Sequence, residues 1–128
     1  MEHCSILVVD DDRSIRQTIA EILDLEGYRV DTATNGAEAL EAVASRGLPT
    51  IVLLDMRMPV LDGWGFAREF RARYDRLAHI LVMTAAQNAQ RWAQEIEAEG
   101  YLAKPFELPQ LLATVERLCA QPRGGGAA

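Results

Sequence analysis

The sequence predicts an α/β fold in which one parallel β-sheet is covered by helices on both faces. Short apolar runs alternate with amphipathic segments of helical spacing, as in repeated βαβ units. Four of these runs, at residues 6–9, 51–54, 80–83 and 101–103, each end on a polar residue. Because the carboxyl ends of parallel strands share one edge of a sheet, these polar residues are expected to meet in one crevice.

The composition is that of one soluble globular domain. The chain has 128 residues, of which 49% are hydrophobic and 25% charged, and this length is enough to bury a core. The formal net charge of −6 argues against a nucleic-acid-binding surface. Since no apolar run reaches the ~20 residues of a membrane span and no signal peptide is evident, we expect a cytoplasmic protein that binds neither nucleic acid nor membrane.

In the first half of the chain, the pattern predicts strand, helix, strand, helix and strand. The helix after the first run has an apolar face and ends at Gly27, which supplies the usual left-handed cap. A short strand at 28–33 follows, and the Asn-Gly pair at 35–36 begins a second helix that Gly47 ends. The run 50–54 is apolar at successive positions, which indicates a strand buried on both faces.

In the second half, Pro59 and Gly63 mark residues 56–63 as a loop, and a third helix follows it. A strand at 79–83, a fourth helix, a strand at 101–103 and a fifth helix complete the pattern. The fifth helix has a continuous apolar stripe with polar residues opposite, which is typical of a helix packed on a sheet.

The chain is predicted to be one domain over residues 1–121. The Gly-rich stretch 122–128 is expected to be a disordered tail, and the sequence leaves open whether the domain was cut from a longer protein. Cys4 and Cys119 are expected to be two small, reduced core thiols, because two cysteines make no disulfide framework in a chain this long. A weaker alternative is that they lie close, since the first strand begins where the last helix ends.

The polar residues at the strand ends are three carboxylates, a hydroxyl and an ammonium: Asp10, Asp11, Asp55, Thr84 and Lys104. Carboxylates that converge away from water repel one another, and a hard divalent cation relieves that repulsion. Oxygen ligands without His or Cys favour Mg²⁺ over zinc. The lysine and the threonine can donate to phosphate oxygens, so the set predicts a site for Mg²⁺ and a phosphoryl group.

Four motifs in order resemble those of bacterial response-regulator receiver domains. They are Asp10-Asp11 after a hydrophobic strand, Asp55-x-x-Met58-Pro59-x-x-x-Gly63, Thr84-Ala85 and Lys104-Pro105-Phe106. The resemblance runs from about Ile6 to Leu118. It implies a flavodoxin-like sheet in the order 2-1-3-4-5 with five helices, and a cis peptide bond before Pro105.

The resemblance also implies roles for individual residues. Asp55 would be the phosphoacceptor, attacking phosphohistidine on a partner to form an aspartyl phosphate. Lys104 and Thr84 would bind the phosphoryl oxygens. The Mg²⁺ ligands, for which Mn²⁺ is an acceptable substitute, would be the carboxylates of Asp10, Asp11 and Asp55 and the backbone carbonyl of Arg57. Tyr101 occupies the position of the family's switch aromatic, with an ordinary half-buried strand residue as the alternative interpretation.

By the same resemblance, the chain is not an enzyme but a phosphoacceptor that assists its own phosphorylation and dephosphorylation in a two-component phosphorelay. The expected partners are a sensor histidine kinase or a phosphotransfer protein, and a separate output protein, because no effector domain or helix-turn-helix is present. A monomer or a weak homodimer is expected.

Two other functions are consistent with parts of the pattern. Asp10-x-Asp12 after a hydrophobic strand also resembles the catalytic pair of haloacid-dehalogenase-like phosphatases, in which Asp10 would be the nucleophile. That family needs Thr or Val where Ser14 stands, and it does not explain Asp55-x-x-Met58. A degenerate receiver acting as an unphosphorylated binding module is the third interpretation, and the complete acid, threonine and lysine set argues against it.

The chain departs from the family pattern near the fourth helix. Glu97 stands where the family often has Gly, so we expect this helix to lack a left-handed cap and to be short or mobile. Arg57, two residues after Asp55, is placed so that its side chain could reach a phosphoryl group. Trp64 and Trp92 are expected to be partly buried packing residues, with Trp64 a reporter on the site.

Overall fold

The computed structural model describes residues 4–123 and has five parallel strands that alternate with five helices. The strands are β1 (Ser5–Val9), β2 (Arg29–Ala33), β3 (Ile51–Asp55), β4 (His79–Ala85) and β5 (Gly100–Lys104). The helices are α1 (Arg13–Leu25), α2 (Gly36–Arg46), α3 (Gly63–Tyr74), α4 (Ala86–Glu95) and α5 (Leu108–Ala120). The sheet order is β2-β1-β3-β4-β5, which confirms the predicted topology. Most of the predicted tail, residues 124–128, lies outside the described residues.

The sheet separates two hydrophobic cores. Alternate residues of each strand point to opposite faces, so the central strands supply side chains to both cores. One core packs α2, α3 and α4 on the sheet and has Phe66 and Phe70 among its large buried side chains. The other packs α1 and α5 through residues such as Leu23 and Val115. Within residues 4–123, no helix is both long and apolar enough to cross a membrane.

Short polar side chains begin three of the helices near the carboxyl edge of the sheet. Asp12 accepts the backbone N–H of Ile15 and begins α1. Asn35 accepts the backbone N–H of Glu38 and begins α2. Asp62, at the end of the predicted 56–63 loop, accepts the N–H of Gly65 and begins α3.

The expected loss of a left-handed cap on α4 is wrong. α4 is the shortest helix, at 10 residues, yet Glu97 itself adopts the left-handed conformation with φ 53°. Two arginines hold this turn: Arg71 donates to the Ile96 and Glu97 carbonyls at 3.3 and 3.2 Å, and Arg76 donates to the Glu97 carbonyl at 3.2 Å. The backbone N–H groups of Glu97 and Ala98 satisfy carbonyls of the last turn of α4, as in a glycine-capped helix. The guanidinium groups satisfy the next two carbonyls along the chain.

The prediction of two reduced thiols is also wrong in this structure, and the weaker alternative is correct. Cys4 and Cys119 form a disulfide that joins the residue before β1 to the last turn of α5. The prediction failed because it rested on the number of cysteines, which indicates only whether a chain is built on disulfides. The two cysteines lie close because β1 starts where α5 ends.

Candidate functional site

The predicted site residues lie together at the carboxyl edge of the sheet. Val9 of β1 pairs with Leu54 of β3, so Asp10 stands beside Asp55. On the other side of β3, Asp55 pairs with Met83 of β4, which puts the buried Thr84 one residue further along the next strand. Register alone therefore brings residues from distant parts of the sequence to one crevice.

Three carboxylates form the centre of the site. One oxygen each from Asp10, Asp11 and Asp55 lies within 4.8 Å of the others. Asp10 is fully buried, Asp55 is 7% exposed and Asp11 is exposed, so the cluster opens to solvent on the Asp11 side. Three oxygen ligands with an open side fit a hard cation such as Mg²⁺, which keeps several waters and prefers carboxylates.

Asp10 is held by contacts to both of its carboxylate oxygens. Its Oδ1 accepts the backbone N–H of Asp12 at 2.9 Å, and its Oδ2 accepts the Lys104 ammonium at 2.9 Å. Arg16 of α1 donates to the Asp10 backbone carbonyl at 2.8 Å. Arg16 was not predicted, because its position on a helix carries no signal that distinguishes it from a solvated surface arginine.

Asp55 lies in an environment that disfavours its charge. Burial raises the pKa of Asp55 to about 7, and the neighbouring charges of Asp10 and Asp11 act in the same direction. The Lys104 ammonium, 3.9 Å from Asp55 Oδ1, and the backbone N–H of Arg57 lower the pKa in part. A bound dication would favour the ionised Asp55 carboxylate. The protein's own cations do not fully compensate the negative charge of the cluster, and a metal ion would supply the missing positive charge.

The loop from β3 to α3 is fixed tightly beneath Asp55. The Gly63 N–H donates to the Met56 carbonyl at 3.0 Å, and a Cβ on Gly63 would lie 2.8 Å from the Met56 Cα. Only a residue without a side chain fits this approach. At the tip of the loop, Val60 is 83% exposed and has a φ of 71°, which is strained for a β-branched residue. The Lys104–Pro105 bond, on the opposite side of the site, is cis as expected.

The Arg57 side chain lies on an aromatic ring and not on the carboxylates. Its guanidinium carbon is 5.4 Å from the centroid of the Trp92 ring on α4. Trp92 is 6% exposed and meets Trp64 of α3 edge-on, with centroids 4.9 Å apart. The Trp64 indole N–H donates to Glu95 at 2.8 Å. Trp64 and Trp92 are thus packing residues as predicted, but the contact to Arg57 joins elements distant in sequence and was not foreseen.

Tyr101 is the one predicted residue that lies outside the carboxylate crevice. It pairs with Val82 in the edge strand β5 and is 44% exposed. Its neighbour two residues on, Ala103, pairs with Thr84. Tyr101 therefore lies on the same strand that delivers Lys104, with its side chain turned toward solvent.

This doubly wound α/β fold, with a carboxylate cluster and a lysine at its topological switch point, defines a class of domain that binds a divalent cation together with a phosphoryl group. The family model for the response regulator receiver domain matches residues 6–116. The chain belongs to this family.

Individual proteins agree with the family assignment. Response regulator MprA from Mycobacterium leprae is 41% identical over 125 residues, covering 96% of this chain and 54% of MprA. Chemotaxis protein CheY4 from Vibrio cholerae superposes with a TM-score of 0.80 at 32% identity, over 91% of this chain and 99% of CheY4. Response regulator TrrA from Thermotoga maritima, in complex with Mg²⁺–BeF, gives a TM-score of 0.78 at 36% identity, over 89% and 97% of the two chains.

Membership confirms the predicted class of function. The chain is a receiver domain of two-component phosphorelay signalling and not a conventional enzyme. Its acidic cluster is compatible with Mg²⁺ and an aspartyl phosphate. The chain spans about half the length of the curated relatives that it matches.

Proposed function

We propose that Asp55 accepts a phosphoryl group from a phosphohistidine of a sensor histidine kinase or phosphotransfer protein. The observation that carries this proposal is the cluster of three carboxylates within 4.8 Å, with the Lys104 ammonium 2.9 Å from Asp10 and 3.9 Å from Asp55. Asp55 lies next to both a cation site and an ammonium. These positive charges would neutralise the charge of the incoming phosphoryl group without any rearrangement.

In the transfer, an Asp55 carboxylate oxygen bonds to phosphorus and the phosphorus–nitrogen bond of phosphohistidine breaks. The electron pair of that bond stays on the imidazole nitrogen, which takes up a proton, and Asp55 becomes an acyl phosphate. Lys104 donates to the phosphoryl oxygens, and the Thr84 hydroxyl, at the end of the adjacent strand, donates to another. By these contacts the domain assists its own phosphorylation and the later hydrolysis.

Asp10, Asp11, Asp55 and the Arg57 carbonyl would hold the cation, either Mg²⁺ or Mn²⁺. When bound, the ion neutralises charge on the phosphoryl oxygens. TrrA, which is 36% identical to this chain, is described in complex with Mg²⁺–BeF, and this supports a similar use of the cluster here.

Asp55 is a better acceptor than Asp10, the nucleophile of the phosphatase alternative. Both Asp10 oxygens already accept hydrogen bonds, and the residue is fully buried. A nucleophile needs an oxygen that the substrate can reach. Asp55 is 7% exposed beside the open Asp11 side of the cluster, whereas Asp10 has no exposed surface, so the substrate reaches Asp55 more readily.

We further propose that phosphorylation turns Tyr101 inward as Thr84 moves toward the phosphoryl group, changing the face formed by α4, β5 and α5. A separate output protein would bind this face, and the domain itself would be a monomer or a weak homodimer in the cytoplasm, where a kinase has ATP. Hydroxyl-radical labelling tests the switch: Tyr101 should lose reactivity on phosphorylation in wild type, and undiminished labelling would contradict it.

Intact mass after incubation with acetyl phosphate tests the acceptor. Wild type should gain one phosphoryl adduct with Mg²⁺ or Mn²⁺ and none with EDTA, and Asp55→Asn should gain none. Asp31→Asn, which removes an exposed carboxylate on β2, is the matched control and should behave as wild type. An adduct on Asp55→Asn, or its absence from wild type, would refute the proposal.

A further inference from the structure

The loop that follows Asp55 has a contact with α4 through Arg57. Arg57 follows Asp55 by two residues, and its backbone N–H lowers the pKa of the Asp55 carboxyl. Its guanidinium, however, lies over Trp92 at 5.4 Å from the ring centroid. A guanidinium is attracted electrostatically by the face of an indole at this distance, so the ring competes with any anion for Arg57.

Trp92 is well suited to hold a cation in one place. Only 6% of it is exposed, and Trp64 packs edge-on against it at 4.9 Å. Trp64 is in turn anchored to Glu95 of α4 by its indole N–H. The ring is therefore fixed by α3 and α4, while the Arg57 residue is exposed and can change rotamer.

Arg57 also lines the open cleft beside the carboxylate cluster. This cleft, of about 430 Å³, is bordered by Asp11, Arg57, Met58 and Trp64 among others. The cleft lies on the Asp11 side, where the carboxylates open to solvent. Water that hydrolyses an aspartyl phosphate must approach from such an open side, because the buried side is filled by the core.

We infer that Trp92 is a positioning residue for Arg57, which keeps the guanidinium off the phosphoryl group and so leaves the cleft open to water. This inference rests on the proposed function of Asp55. Without the indole, Arg57 turns into the cleft, donates to the phosphoryl oxygens as guanidinium groups do, and excludes water. Trp92 thereby shortens the lifetime of the aspartyl phosphate.

The first experiment tests the contact without phosphorylation. In Trp64→Phe, Trp92 is the sole tryptophan of a chain that has 2. Adding Arg57→Ala should change the emission of Trp92, whereas adding Arg91→Ala, which removes a guanidinium that bonds to Asn88, should not. Equal emission with and without Arg57 would overturn the inference.

The second experiment measures loss of the phosphoryl group by an intact-mass time course after the acetyl phosphate is removed. Trp92→Leu should slow the loss by about threefold, the size expected from releasing one exposed cation–π contact. In the Arg57→Ala background, the same substitution should change the rate by less than about 1.5-fold, since the cation it would release is absent. Trp92→Phe, which keeps an aromatic face, should restore most of the wild-type rate.

An unchanged or faster loss in Trp92→Leu, or an equal change in both backgrounds, would overturn the inference while leaving Asp55 as the acceptor. If wild type took up no phosphoryl group at all, the proposed function would fail, and this inference with it.

Discussion

The two ends of the sheet are built on opposite principles. At the amino end, the disulfide joins Cys4 to Cys119, and Ser5 and Thr50 exchange hydrogen bonds, with each backbone N–H donating to the other's hydroxyl at 3.2 and 3.1 Å. At the carboxyl end, three carboxylates crowd within 4.8 Å, and Val60 is held in a strained conformation. The covalent link therefore lies at the opposite end of the sheet from the carboxylate cluster.

The difference shows how a small domain can carry a costly site. Like charges in a buried cluster destabilise the folded state in the absence of a cation, and a backbone outlier adds about 1–3 kcal/mol. The amino end offsets these terms with a covalent link and satisfied polar groups. The site can therefore be poised for an external ligand without unfolding the domain.

The largest effect that tests this comparison is expected from the disulfide. Reduction, or the double substitution Cys4→Ser with Cys119→Ser, should lower the free energy of unfolding by about 4–5 kcal/mol, because the bond closes a loop of 115 residues. Denaturant unfolding with and without dithiothreitol measures this. The double variant is the control and should not respond to the reductant. If wild type did not respond either, the disulfide would not stabilise the amino end of the sheet.

The next effect belongs to the loop under Asp55. Gly63→Ala should cost about 2–3 kcal/mol, because its Cβ would lie 2.8 Å from the Met56 Cα and the backbone must shift. Gly100→Ala in β5 is the control: its Cβ meets a flexible Leu81 methyl at 3.3 Å, so the cost should stay below about 1 kcal/mol. Equal losses in the two variants would show that the site loop is not specially constrained.

A gain is expected at the strained tip of the same loop. Val60→Gly should raise the free energy of unfolding by about 0.5–1 kcal/mol, since glycine adopts the left-handed conformation freely and the exposed side chain loses little burial. Val60→Ala keeps a Cβ and should gain much less. Thermal denaturation of the three proteins measures this, and a less stable Val60→Gly variant would show that the backbone of Val60 is not strained.

The smallest effect should come from an exposed ion pair. Arg46 and Asp31 are 3.0 Å apart, close to the 2.9 Å of Lys104 and Asp10, but their side chains are 59% and 52% exposed. Asp31→Asn should therefore change the free energy of unfolding by less than about 0.5 kcal/mol. A larger change would mean that the exposed Arg46–Asp31 pair contributes to stability despite its exposure to solvent.

The sequence predicted the strands and the residues at their ends, because apolar runs and polar termini are local patterns. The strand order followed only from the family resemblance, since periodicity does not say which strands are neighbours. For the two cysteines, proximity was only the weaker alternative, and the arginine-supported turn at Glu97 and the contact of Arg57 with Trp92 were missed. Each depends on where two distant elements meet, and no spacing along the chain reports that distance.

The electrostatic cost at the carboxyl end is measured by the stability of Asp55→Asn relative to wild type, without and with Mg²⁺. The folded protein raises the pKa of Asp55 from 3.8 to about 7, so between these pH values the folded state binds more protons than the unfolded state. Raising the pH through this window therefore lowers the stability of metal-free wild type relative to the variant.

In EDTA at pH 7.5, Asp55→Asn should be more stable than wild type by about 2 kcal/mol, and at pH 5 the advantage should shrink. Adding Mg²⁺ should stabilise wild type more than the variant, because the ion relieves a repulsion that the variant lacks. If wild type and variant were equally stable at both pH values and gained equally from Mg²⁺, the carboxyl end would carry no electrostatic cost and the account would be contradicted.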